Sequence, residues 1–181
     1  MSMFPIASIN ANAGAVGSFD FTNIPDTFTH LQLRCFTRAT STNSAPFDLT
    51  LTVNGANPTL FAYHSLRGDG GSATSAAGTS DTVFRVQTAV PSASFTASVF
   101  GATIIDILDY TNTSKNKTLK ALTGYDSNQT SAPTVGYVGL ESSVYLSTSA
   151  INRLTLGTFG NFAQYSRVDL YGLTTSSVTG A

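Results

Sequence analysis

Phe21-Thr22-Asn23-Ile24-Pro25-Asp26-Thr27-Phe28-Thr29-His30-Leu31-Gln32-Leu33-Arg34 is the stretch whose reading decides the fold. Ile24-Pro25-Asp26 turns the chain, because proline presets φ for a turn and an aspartate side chain holds it. After the turn, Leu31, Leu33 and Cys35 point one way and Gln32, Arg34 and Phe36 the other, the period of a half-buried strand. A counterpart lies near the end, Gly160-Asn161-Phe162-Ala163-Gln164-Tyr165-Ser166-Arg167-Val168-Asp169-Leu170-Tyr171-Gly172-Leu173. It too is a turn or cap feeding an alternating run. Two such segments predict that almost the whole chain closes into one β domain.

Between them the same pattern recurs. Leu49, Leu51 and Val53 alternate with Asp48, Thr50, Thr52 and Asn54, and Asn54-Gly55 ends that strand with a strong turn signal. Further strands are predicted at Val16–Phe21, Phe61–Leu66, Val83–Gln87, Phe95–Tyr110, Leu119–Tyr125, Val135–Leu146, Ile151–Phe159 and Arg167–Leu173. The total is about ten, at the regular spacing of a sandwich or barrel. Arg67–Ser80, rich in Gly, Ser and Ala, reads as a mobile loop. The predicted fold is all-β, an antiparallel β-sandwich of jelly-roll type. Its parts are an N-terminal arm over 1–15, a single domain over 16–173 and a flexible tail over 174–181.

Composition agrees. Charged residues are only 10% of the 181, with a net charge of −1, three lysines and a single glutamate, Glu141. Ser and Thr make up about a quarter, which suits strands and turns with hydroxyl-rich surfaces. At 41% hydrophobic, with twelve Phe and seven Tyr, the chain has enough apolar surface to offset ordering entropy. No basic field exists to hold a polyphosphate, so nucleic acid is not expected as a partner. No apolar run approaches the ~20 residues of a spanning helix, and no membrane partner is expected. Cys35 stands alone, so no intramolecular disulfide forms, and its place in an alternating run reads as a buried core thiol.

Candidate chemistry is sparse. His30 and His64 lack a third ligand at useful spacing, so no metal is expected. Asp106 and Asp109, three apart in a predicted strand, fall on opposite faces and make no acid–base pair. No phosphate cradle or nucleophile elbow is present. The expectation is a protein without catalytic residues or cofactor, and not an enzyme. Tyr125, Tyr137, Tyr145, Tyr165 and Tyr171 would stack on sugars if they shared one surface, but strand packing uses Tyr in the same way. Arg67-Gly68-Asp69, in the Gly-rich stretch, is a candidate exposed recognition loop. Met3-Phe4-Pro5-Ile6 is a candidate contact with a subunit or a larger shell.

Ile24–Arg34, the Val53-Asn54-Gly55 strand end, the Tyr63-His64 step and Gly160–Gly172 occur in order, and together they resemble a group of small tailed-bacteriophage structural proteins. The resemblance covers about residues 16–173. It implies a β-sandwich virion protein, on the head surface or in a tail appendage, without catalytic residues. The leading expectation is a capsid-decorating (cement) protein on the outer capsid surface. Its partners would be the major capsid protein and further copies of itself, as a homotrimer. The alternative is a tail fibre or receptor-binding module that recognises a host surface glycan. A third is a non-viral lectin-like or hydrolytic β-sandwich domain.

Overall fold

The computed structural model describes residues 2–55, 59–127 and 136–174. Twelve strands run β1 (Ser2–Asn10), β2 (Phe19–Phe21), β3 (His30–Thr37), β4 (Phe47–Val53), β5 (Phe61–Gly68), β6 (Ala73–Asp81), β7 (Phe84–Val90), β8 (Gly101–Ile107), β9 (Lys117–Asp126), β10 (Gly136–Tyr145), β11 (Leu154–Gly157) and β12 (Arg167–Thr174). They form two antiparallel sheets. The larger is ordered β1-β12-β3-β8-β9-β10-β5-β6 and the smaller β2-β11-β4-β7.

The strand order gives the architecture. β1 pairs with β12, β2 with β11, β3 with β8 and β4 with β7, nested like one long hairpin. The hairpin is rolled so that β12 also meets β3 and β11 also meets β4. That is a jelly roll of two four-stranded sheets with Greek-key connections. Two inserted hairpins, β5–β6 and β9–β10, then widen one sheet beyond β8.

The two segments that frame the sequence are neighbours in this roll. β3 and β12 pair from His30↔Leu173 to Phe36↔Arg167. The Phe28 ring lies over Gly172, where a Cβ would come within 2.2 Å of it. The core sits between the sheets. Leu31, Leu33, Cys35, Leu49, Leu51, Val53, Ile105, Ile107, Val168 and Leu170 are all buried, each large side chain contributing ~1.5–3 kcal/mol. Burial also pushes the Cys35 thiol pKa up.

Five details differ from the sequence reading. There are twelve strands rather than about ten. Residues 2–10 of the expected arm form β1, paired with β12. Its period was hidden because a register break between Pro5 and Ala7 leaves Ile6 and Ile9, three apart, facing inward. The expected loop Arg67–Ser80 is mostly strand: Arg67 and Gly68 end β5, and β6 follows after a short turn. Small residues are weak strand formers, and pairing with β5 overrides that preference. The long strand expected over Phe95–Tyr110 is confined to Gly101–Ile107. Of the expected tail, Thr174 ends β12 and the rest lies outside the described residues.

Few charges are available to hold the loops, and two of them, Arg38 and Lys117, go inside. The Arg38 guanidinium donates to the carbonyls of Ala93, Phe95, Thr96 and Val99 at 2.8–3.1 Å, fixing the segment before β8. Lys117 is fully buried, and its Nζ donates to the carbonyls of Asn112, Lys115, Ser147 and Thr148. Lys117→Met keeps the length but strands those carbonyls. It is expected to lower stability by ~3 kcal/mol, read as a reduced urea midpoint at unchanged far-UV circular dichroism.

Candidate functional site

The outer face of the larger sheet carries an apolar band. Ile104, Leu122, Leu140 and Leu66 lie directly opposite one another across β8, β9, β10 and β5. They are 39%, 52%, 42% and 55% exposed. The next row, Phe36, Ala102, Gly124, Val138 and Gly68, adds Phe36 and Val138, both more than half exposed. Because side chains alternate along each strand, these residues face away from the core while Ile105, Leu119, Ala121 and Ser65 face into it. Leu66, Leu122, Val138 and Leu140 line a shallow groove of about 240 Å³.

The band has an edge. On the far side of the Ile104 row lies a polar row of Gln32, Asp106, Lys120, Ser142 and His64. In it, the Gln32 amide donates to Asp106 at 2.8 Å. Together the six large apolar side chains expose on the order of 500 Å², at the upper end of the largest patch on an ordinary monomer. A polar rim around such a patch marks a contact surface rather than scattered surface residues.

The residues singled out from sequence take other places. Phe4 stacks on Phe28 at 6.0 Å, and Ile6 packs against the core, so Met3-Phe4-Pro5-Ile6 is half spent on the fold. Met3 and Phe4 remain 40% and 46% exposed. Arg67 and Gly68 end β5 and Asp69 begins the turn to β6. There the Asp69 carboxylate accepts from the Ser72 N–H at 2.7 Å and the Gly71 N–H at 2.9 Å. Those backbone bonds hold its pKa below the usual carboxylate range. The carboxylate therefore shapes the turn. Of the tyrosines, Tyr125 and Tyr137 come together at 5.9 Å, whereas Tyr145 is buried, Tyr171 lies beside Arg34 and Tyr165 is exposed elsewhere. His30 accepts from the Asp109 N–H at 2.9 Å and His64 sits in the polar row, so the two histidines are not paired. Among the described residues, no three His, Cys, Asp or Glu side chains gather in a metal-binding group.

One group escaped the sequence reading. Glu141 is fully buried on the inner face of β10, and one of its oxygens accepts from the Gln87 N–H on β7 at 3.2 Å. Its other oxygen has no protein partner. Burial raises its pKa to about 7. Beside it, the Thr88 N–H donates to Asp48 at 3.1 Å, in a bulge where Thr88 takes a φ of +56. The signal in the sequence was that the single glutamate occupies an inward position of an alternating strand. Glu141 thus meets a β7 N–H from the opposite sheet, while Asp48, on β4, fills the bulge that interrupts the β4–β7 pairing between Leu49↔Val86 and Phe47↔Val90.

A scan of protein-family models found none that matches this chain, and searches of curated proteins and of solved structures found no match either.

The proton on Glu141 makes stability depend on pH. The folded state keeps it up to about pH 7, while the unfolded chain releases it near the ordinary 4.5. The contribution, at most about 3 kcal/mol, is therefore complete below the unfolded value and lost as pH rises through 7. Urea midpoints of the natural chain should fall from pH 5 to pH 8, and Glu141→Gln should flatten that slope. Equal slopes would contradict the assignment.

Proposed function

We propose that this chain is a bacteriophage virion structural protein, a capsid-decorating (cement) protein that binds the outer surface of the head shell as a homo-oligomer. The observation that carries the reading is the exposed row Ile104–Leu122–Leu140–Leu66 on a jelly-roll sheet. The bacteriophage part rests on the sequence resemblance at Ile24–Arg34 and Gly160–Gly172. The fold supports it only as one of several uses of a jelly roll, among them capsid and lectin domains.

Magnitudes favour an assembly of several copies. Covering ~500 Å² of apolar surface at ~25 cal/mol/Å² gives roughly 12 kcal/mol gross. Association itself costs ~4–15 kcal/mol. One copy would hold a shell weakly, and linked copies would hold it firmly through their high effective concentration. Bound copies then stabilise the shell by mass action, because they favour the assembled state. Low net charge removes most long-range repulsion between neighbouring copies.

A second reading, a tail module that recognises a host glycan, draws on a polar groove of about 190 Å³ lined by Arg67, Asp69, Ser72, Thr74, Thr88 and Tyr137. Labelled antibody imaged on particles separates the two: many copies over the head support decoration, and a few copies at the tail support recognition. Under the cement reading, Leu122→Glu places a charge in the middle of the contact. It should weaken binding to undecorated heads about 100-fold, measured by co-sedimentation, with the thermal midpoint unchanged. Undiminished binding would move the contact off this face.

A further inference from the structure

Four strands end the two sheets: β1 and β6 in the larger, β2 and β7 in the smaller. A bare edge offers unpaired N–H and C=O groups to any other strand, so chains that remain alone blunt their edges. Three of these edges are blunted. β1 carries Pro5, which has no N–H to donate, and a break in register between Pro5 and Ala7. β2 is three residues long. β7 lies against β9 and β10, and its Gln87 N–H ends on Glu141 of β10.

β6 differs from all three. It pairs with β5 alone and keeps regular register from Ala73 to Gly78. That stretch, Ala73-Thr74-Ser75-Ala76-Ala77-Gly78, is exposed at Ala73, Thr74, Ser75 and Ala77 and holds no charge and no proline. The bulge in this strand comes only afterwards, with Ser80 at a φ of +69.

We propose that the chain self-associates by pairing the Ala73–Gly78 edge of β6, antiparallel, with the same edge of a second copy across a two-fold axis. Elimination sets the symmetry. A ring of three needs a second, different edge to receive β6, and every other described edge is blunted. Self-pairing centred on Ala76 puts Thr74 opposite Gly78, Ser75 opposite Ala77 and Ala76 opposite its own counterpart, a register that keeps the same face of both copies on one side. Each pair is small and neutral, so neither bulk nor like charge opposes it. The joined sheet sets the apolar bands of both copies side by side on one face. This dimer takes the place of the expected trimer. It deepens the homo-oligomer part of the reading above and does not depend on the virion part.

A six-residue edge buries less than the ~1,600 Å² of a standard interface, so the dimer dissociates on dilution. In sedimentation equilibrium of the purified chain between ~1 and ~100 μM, the mass should rise from one chain toward two by mass action. The double variant Ser75→Lys/Ala77→Lys puts like charges on the edge. It should stay monomeric, at least tenfold weaker in association, with an unchanged thermal midpoint. A natural chain that stays monomeric or reaches three copies, or a folded double variant that still dimerises, overturns the proposal. Hydrogen exchange of the natural chain gives a second test without a variant. Amides within 73–78 should slow as concentration rises, and unchanged exchange there would also overturn it. Because only purified chain is used, failure here is distinct from failure to find the protein on heads.

Discussion

Every buried backbone N–H and C=O must find a partner, and this chain has very few charged side chains with which to supply one. That constraint organises the molecule. Arg38 gathers four carbonyls ahead of β8, and Lys117 gathers four more between the loops that flank β9 and follow β10. Glu141 and Asp48 take the N–H groups of β7 that no strand reaches. A fully desolvated ion is expensive unless its hydrogen bonds are met, and Arg38 and Lys117 are used where several loop carbonyls would otherwise be orphaned. On the outer face of the larger sheet, the stretch across β8, β9, β10 and β5 keeps one polar row beside rows of Ile, Leu and Val, with Arg34 and Arg167 continuing those rows on β3 and β12.

The functional reading follows from that surplus. A surface with so little charge does not repel copies of itself, and an apolar band of this size gains free energy when covered. The gain is comparable to the cost of bringing one copy to a surface, so in the proposed role occupancy would depend on copies acting together. The unblunted β6 offers a way to join them, and it lies at the same side of the sheet as Leu66 and Leu140. On the proposed reading, oligomerisation and attachment both run through this one sheet.

Strands with clean alternation were legible in the sequence. β3, β4 and β12 were read from Leu31/Leu33/Cys35, Leu49/Leu51/Val53 and Val168/Leu170, and those side chains are the core. That the fold is an antiparallel sandwich of jelly-roll type was also legible, although pairing order was not, because alternation tells which face a residue takes and not which strand lies beside it. β1 was missed because its bulge turns a period of two into a spacing of three between Ile6 and Ile9. β6 was missed because Ala, Ser and Gly carry loop preferences that a partner strand overrides. The apolar band was out of reach for a related reason. Ile104, Leu122, Leu140 and Leu66 come from four strands, and only the register brings them into one row.

Hydroxyl-radical footprinting of Leu66, Leu122, Val138 and Leu140, compared between dilute free protein and intact assembled particles, tests the central claim most directly. If the outer face is where the chain is covered, those four side chains should be labelled several-fold less in the assembled state, while exposed Phe159 and Tyr165, away from the band, keep their reactivity. Equal labelling of the band in both states would mean that it stays open to solvent, and the account of this sheet as an assembly surface would be wrong.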